Sequence, residues 1–421
     1  MKYFKKDSAW EKELLARFID YAKTFSTSCG AQADKGVQPS TECQRDFANK
    51  IAAELKSLGF EGVQVTKHGY VYAYIPANPA AGAFGAGKTA GGAKSSAKPF
   101  CLLAHLDTVE ECSGKNVRPR VKKLGAKDTG FAGCEIGDTI ITSDGTTLLG
   151  GDDKAGLAAI VTALHYLLAN KKIAHPKIEV CFSPDEETGH GMDHVPLDLI
   201  KSKAAYTVDG GHIGELECDC FNAYKSEVFF TGKTAHTGDA RAAGMVNAIS
   251  AASLFVQSLP KTEAPETTDG YQGFYAPLEI CGTMESARVS LLLRDFEADG
   301  MAGRKKMVAQ LAKAAASSYG ASVKVKHTQQ YLNMREGIKK APFVVERLVA
   351  AYKESGIEPV FKPIRGGTDG SRLTEMGIPC PNIFTGAHEY HSEREWVSLE
   401  QMLAAADIIV SLGAIYARIQ N

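Results

Sequence analysis

The sequence predicts an α/β fold: a mostly parallel sheet flanked by helices, with a smaller α+β module inserted into it. Three observations carry this. Short apolar runs at 100–104, 178–182 and 204–208 alternate with helical patterns and end in polar or glycine-rich turns. The character changes after Gly211, where strand patterns at 224–230, 287–296 and 321–327 alternate with two helices. Strand–helix alternation returns after Asn333. The larger domain is therefore expected over 1–213 and 334–421, and the inserted one over 214–333.

The 421 residues are 44% hydrophobic and 23% charged, with a formal net charge of −1. That supports two domains with a sizeable core. It gives no overall field for nucleic acid or an anionic membrane, so neither is expected as a partner. The first residues, MKYFKKDSAWEKELLARF, are charged throughout and lack the apolar centre of a signal peptide, and no stretch is expected to span a membrane. Ten scattered cysteines in such a chain are expected to be reduced, in a cytoplasmic protein. Cys218 and Cys220, two apart, suit one face of a strand.

Taken in order, 10–25 carries apolar positions at helical spacing. The turn Pro39-Ser40-Thr41-Glu42 opens a helix that stops at Gly59. A hairpin-like pair at 63–65 and 70–75 precedes a Gly/Ala/Ser/Lys-rich excursion over 80–98. The buried-strand signal at 100–104 runs directly into His105-Leu106-Asp107-Thr108, which puts His105 and Asp107 on one side of a strand. Loops and short strands over 111–147 lead to GGDDKAG and an almost wholly apolar helix over 154–169. The strand at 178–182 delivers Pro184-Asp185-Glu186-Glu187, and that at 204–208 ends in Asp209-Gly210-Gly211. The inserted module has helices over 243–258 and 301–319, a polar loop over 261–271, and His236 in a glycine-flanked turn. Afterwards come a helix over 342–355, a strand over 358–363 leading to Arg365-Gly366-Gly367-Thr368-Asp369, a strand over 381–384, and a final helix over 399–418.

In open α/β sheets, sites gather at the carboxyl ends of strands. His105, Asp152, Glu187 and Asp209 each sit at such an edge, and His391 follows the strand at 381–384, with His388 as the fallback imidazole. Two imidazoles and three carboxylates suit two zinc-like ions. A carboxylate shared between two ions would place them roughly 3.5–4 Å apart. Water bridging them loses a proton near neutral pH, and its attack on a carbonyl needs a general base. Glu186, adjacent to a ligand without being one, fits that role; Asp107 would accept the second ring N–H of His105.

The motifs AHLDT, GGDDKAG, PDEETG, VDGG, GGTDGSRL and the histidine of YHSEREWV together resemble the peptidase T family, the tripeptide aminopeptidase branch of the co-catalytic zinc exopeptidases. The likeness covers nearly the whole chain and includes RFIDYAKTFSTS, HGYVYA, MVNAI, LLLRDFEADG, YLNMRE and IPCPNIFTG. The excursion after Pro79 and GAHEYHSE depart from the family pattern. The resemblance implies a zinc-exopeptidase-like fold with an inserted lid or dimerisation domain. It implies two zinc ions, replaceable by cobalt or manganese. Asp152 would bridge both ions, His105 and Asp209 complete one site, and Glu187 and His391 the other. Glu186 would be base and then proton donor, with Asp107 as supporting carboxylate. His236 would polarise the scissile carbonyl; Arg294, Arg365 and, more weakly, Asn247 would take the peptide's C-terminal carboxylate. The implied activity is release of the N-terminal residue from short peptides, best tripeptides, with a homodimer through the inserted domain. The alternative is a carboxypeptidase or N-acyl-amino-acid amidohydrolase on the same fold, because the metal ligands do not select the end of the substrate.

Overall fold

A computed structural model of the chain describes residues 1–78 and 97–419. The Gly/Ala/Lys-rich excursion lies almost wholly outside the described residues. These divide into two compact units: Met1–Cys218 with Glu336–Lys362 and Thr368–Asn421, and Asp219–Arg335 with Pro363–Gly367. The expected insertion of 214–333 differs at both bounds, and 363–367 belongs with the smaller unit. The strand foreseen over 358–363 is reduced to Val360–Phe361.

In the larger unit, eight described strands form one sheet in the order Glu61–Val65, Val71–Ile75, Ile178–Ser183, Phe100–His105, Ala205–Gly210, Asn382–Phe384, Glu215–Glu217, Val360–Phe361. The central four run parallel. Every residue of Phe100–His105 and of Ile178–Ser183 is buried, as strands covered on both faces require. A second described sheet joins Ala387–His388, Trp396–Ser398, Thr139–Thr142 and Arg120–Lys123.

Helices Gly151–Ala169 and Leu399–Arg418 pack on each other, and the second also packs on Phe343–Glu354. Leu399–Arg418 is long and apolar enough to cross a membrane, contrary to the expectation that no stretch is. Yet 89% of its apolar window is buried inside the unit. Leu403, Ile408, Ile409 and Leu412 are fully enclosed, each contributing roughly 1.5–3 kcal/mol through burial. Its Asp407 accepts the backbone N–H groups of Lys2 and Phe4, each at 3.0 Å.

Gly156 fixes how closely Gly151–Ala169 approaches the sheet. A Cβ there would lie 1.8 Å from the Val208 carbonyl oxygen and 2.3 Å from Asp153 Oδ1. Gly156→Ala is expected to destabilise the protein by about 1–3 kcal/mol or more through overpacking. Thermal unfolding checks this, and an unchanged melting temperature would contradict so close an approach.

The smaller unit is a four-stranded antiparallel sheet, in the order Phe274–Gly282, Ser286–Asp295, Asn222–Thr231, Ser322–Tyr331. Helices Ala248–Ser258 and Ala298–Tyr319 pack on it and on each other. Strand Phe274–Gly282 is absent from the sequence reading: Pro277 and an exposed run after it blur its alternation.

Candidate metal centre and active site

The rim of the parallel strands gathers the expected residues. His105 ends its strand, and its Nε2 lies 2.9 Å from Asp152 Oδ1 and 3.7 Å from Asp209 Oδ1. His391 approaches from the other side, with Nε2 3.3 Å from Asp152 Oδ2 and 3.1 Å from Glu187 Oε2. Each oxygen of Asp152 thus faces its own imidazole. The five expected ligands converge in the larger unit.

Burial opposes charge throughout this cluster. It pushes Asp209 well above the usual carboxylate range, with Asp153 adding to the push. It raises Glu187 to about 7, helped by Asp152 and opposed by His391. Asp152 moves the other way: burial raises it, but hydrogen bonds from His105 and His391 outweigh that and leave it below the ordinary range. His391 is raised to about 11 by hydrogen bonds to Asp152 and Glu187. Crowded carboxylates of this kind ionise together when cations share them.

The donor set fits divalent cations. His105, Asp152 and Glu187 present ligand atoms within 4.8 Å of one another, as do His105, Asp153 and Asp209. Glu187 Oε1 is buried without a hydrogen-bond partner, a cost that a cation would remove. Asp153 is less suited to ligation, because its carboxylate already accepts the N–H of His105 and of Gly156, each at 3.2 Å.

Asp107 does more than steady His105. Its Oδ1 accepts the Glu186 N–H at 3.0 Å and its Oδ2 the Glu187 N–H at 3.2 Å. The His105 ring meets it from the other side, with Nδ1 3.1 Å from the Asp107 carbonyl oxygen and 3.4 Å from Oδ1. Asp185 is buried and accepts hydrogen bonds from Ser40 and Gln44, which anchor the start of the DEE turn. The Glu186 side chain makes no hydrogen bond or ion pair among the described residues, and burial holds its carboxyl well above the ordinary range. The three acids therefore divide into an anchor, a free carboxylate and a candidate ligand.

His388 does not join the centre. It is 3% exposed and stacked on Trp396 at 3.9 Å, with Nε2 2.8 Å from Gln401 Oε1. Burial lowers it to about 4, so it stays neutral.

The remaining expected residues lie in the smaller unit. Asn247 caps helix Ala248–Ser258, accepting the N–H of Ile249 at 2.9 Å. Arg365 donates to the carbonyls of Gly270 and Gln272, each at 2.9 Å, and to the Thr268 hydroxyl at 2.8 Å. The side chains of both are thus engaged in local structure, which weakens their reading as carboxylate ligands. His236 is exposed and accepts the Gly238 N–H at 3.2 Å. Arg294 is 9% exposed, bonded to Gln330 Oε1 at 3.0 Å, with no carboxylate in ion-pair distance among the described residues.

Two buried acids near the rim were assigned no role from the sequence. Asp369 accepts a hydrogen bond from the Ser183 hydroxyl. Glu395 accepts three backbone N–H groups from the turn that carries Asp152. The sequence signal for Glu395 was a carboxylate directly before the apolar Trp396-Val397 pair.

Comparison with known proteins agrees with this architecture. A peptidase T of Clostridium perfringens strain 13 is 39% identical over 421 residues, covering 96% of this chain and 99% of its own. Two solved structures share the fold. Aminopeptidase PepT of Bacillus cereus superposes with a TM-score of 0.74 at 23% identity, covering 97% of this chain and 99% of its own. A tripeptidase of Staphylococcus aureus gives 0.76 at 20%, with the same coverage. The model of peptidase family M20/M25/M40 matches residues 142–413. The chain belongs to peptidase family M20/M25/M40, on its peptidase T branch.

Proposed function

We propose that this peptidase is an aminopeptidase releasing the N-terminal residue of short peptides, tripeptides above all, with two zinc ions that cobalt or manganese can replace. The observation that carries the reading is the placement of His105 and His391 on opposite oxygens of Asp152, at 2.9 and 3.3 Å. A carboxylate that bridges two cations must be approached in that way, one oxygen to each. Asp209 beside His105 and Glu187 beside His391 supply the further ligands. When bound, the cations would polarise the scissile carbonyl and lower the pKa of water. Glu186 is the free carboxylate that takes the attacking water's proton and passes it to the leaving amine, a role that a raised pKa suits. Asp107 grips the amides on either side of that base and keeps it in register with Glu187. Arg294, buried and without a carboxylate in ion-pair distance among the described residues, is the group we favour for the peptide's C-terminal carboxylate.

The similar proteins described as an aminopeptidase and a tripeptidase support this choice of substrate. Ten free cysteines support a reducing, cytoplasmic setting. A homodimer through the smaller unit is part of the reading, since Leu278 and Ile280 stand exposed on its edge strand. The test is a panel of di-, tri- and tetrapeptides with free and acetylated N-termini, assayed with zinc, cobalt and manganese. Free tripeptides should be cleaved fastest and acetylated ones at least about tenfold more slowly, the loss of one charge-assisted contact. Equal rates for acetylated and free tripeptides would favour the amidohydrolase alternative.

A further inference from the structure

Glu395 is 1% exposed, and no lysine or arginine lies in ion-pair distance of it among the described residues. Its hydrogen bonds come from backbone, and the buried Lys154 ammonium adds attraction at longer range. Oε2 accepts the N–H of Leu149 at 2.9 Å and of Gly150 at 2.7 Å, and Oε1 accepts the N–H of Asp152 at 2.9 Å. A buried carboxylate is costly unless hydrogen-bonded, and three donors from one turn meet that cost. The turn is shaped around it. Gly150 has φ +79°, and a Cβ on Gly151 would lie 3.1 Å from Glu395 Oε1 and 2.6 Å from Val397 Cγ2. The same turn presents Asp152 between the two imidazoles. Glu395 also belongs to the segment that carries His391, just before strand Trp396–Ser398.

We infer that Glu395 is a positioning residue that locks the Asp152 turn to the His391 segment, so that one buried carboxylate sets the spacing of ligands for both cations. It touches neither substrate nor the reacting atoms. It acts by fixing the backbone of Asp152 while its own backbone constrains His391. The inference rests on the two-cation reading, and groups that orient metal ligands typically contribute 10–100-fold in metal affinity.

The experiment compares the full-length parent, Glu395→Gln and Asp407→Asn. Asp407 is the control because it too is a buried carboxylate bonded to backbone N–H groups, those of Lys2 and Phe4, with no ligand segment involved. Each protein is stripped with a chelator, and zinc is titrated back against a competing chromophoric chelator while thermal unfolding of the stripped form is recorded. The expected result is zinc binding weakened about 10–100-fold by Glu395→Gln and unchanged by Asp407→Asn. Zinc affinity of Glu395→Gln weakened by less than about tenfold, the lower end of what such supporting groups contribute, would overturn the inference, whatever its melting temperature. Should Glu395→Gln not fold, Glu395→Asp, which keeps the charge but shortens the reach by one methylene, is judged by the same two outcomes. A parent that takes up no zinc would instead overturn the two-cation reading itself.

Discussion

Replacing Glu186 by glutamine is expected to lower kcat for a free tripeptide by about 10²–10⁴-fold, the usual contribution of a positioned base, while cation content and melting temperature stay at parent values. The side chain carries no structural duty that the substitution would disturb: the residue's described hydrogen bonds are made by its backbone, the N–H to Asp107 and the carbonyl from Gly189. Glutamine keeps the volume and removes the ability to take a proton. Steady-state kinetics with metal analysis of the same sample checks this. A glutamine variant at parent kcat would remove Glu186 from the mechanism, and one that had lost its cations would show it to be a ligand.

Asp152→Asn is expected to be more severe, with loss of at least one cation per chain and a fall in activity beyond about 10⁴-fold. A carboxylate offers an acceptor oxygen on each side, and here each side faces an imidazole. An asparagine offers one oxygen and one NH₂ group, so it can serve one cation at most and presents donor hydrogens to the other. The NH₂ would also confront either His105 or His391. Cation stoichiometry after dialysis, read beside kcat, distinguishes the outcomes. Two cations retained with parent-like turnover would rule out Asp152 as the shared ligand.

Much of this site was legible because its residues stand at abrupt changes of pattern. His105, Glu187 and Asp209 each follow a short, mostly apolar run, and such runs mark buried strands whose ends share a rim. The division of labour within DEE was legible only in part. Adjacency separated Glu186 from Glu187, but Asp185 finds its partners in Ser40 and Gln44, far away in the chain. Glu395 was missed for a related reason, since the groups that explain it are backbone amides, and an amide carries no residue identity. Arg365 and Asn247 show the converse. Their side-chain chemistry suits a substrate carboxylate, but local carbonyls and a helix end are nearer claimants. The strand Phe274–Gly282 escaped because an edge strand that is exposed over most of its length prints no period.

The bond pattern around Glu395 also bears on when the native contacts can form as the chain is made. The turn over 149–152 leaves the ribosome long before the carboxylate that receives its three amides. Until the segment around Trp396 and the final helix dock, those donors lack their native acceptor and Asp152 has no second imidazole beside it. The strands of the smaller unit's sheet, Asn222–Thr231 to Ser322–Tyr331, are all made in between. Closure of the larger unit's core is a late, long-range event of the kind that slows folding, and catalytic competence arrives with the last helix.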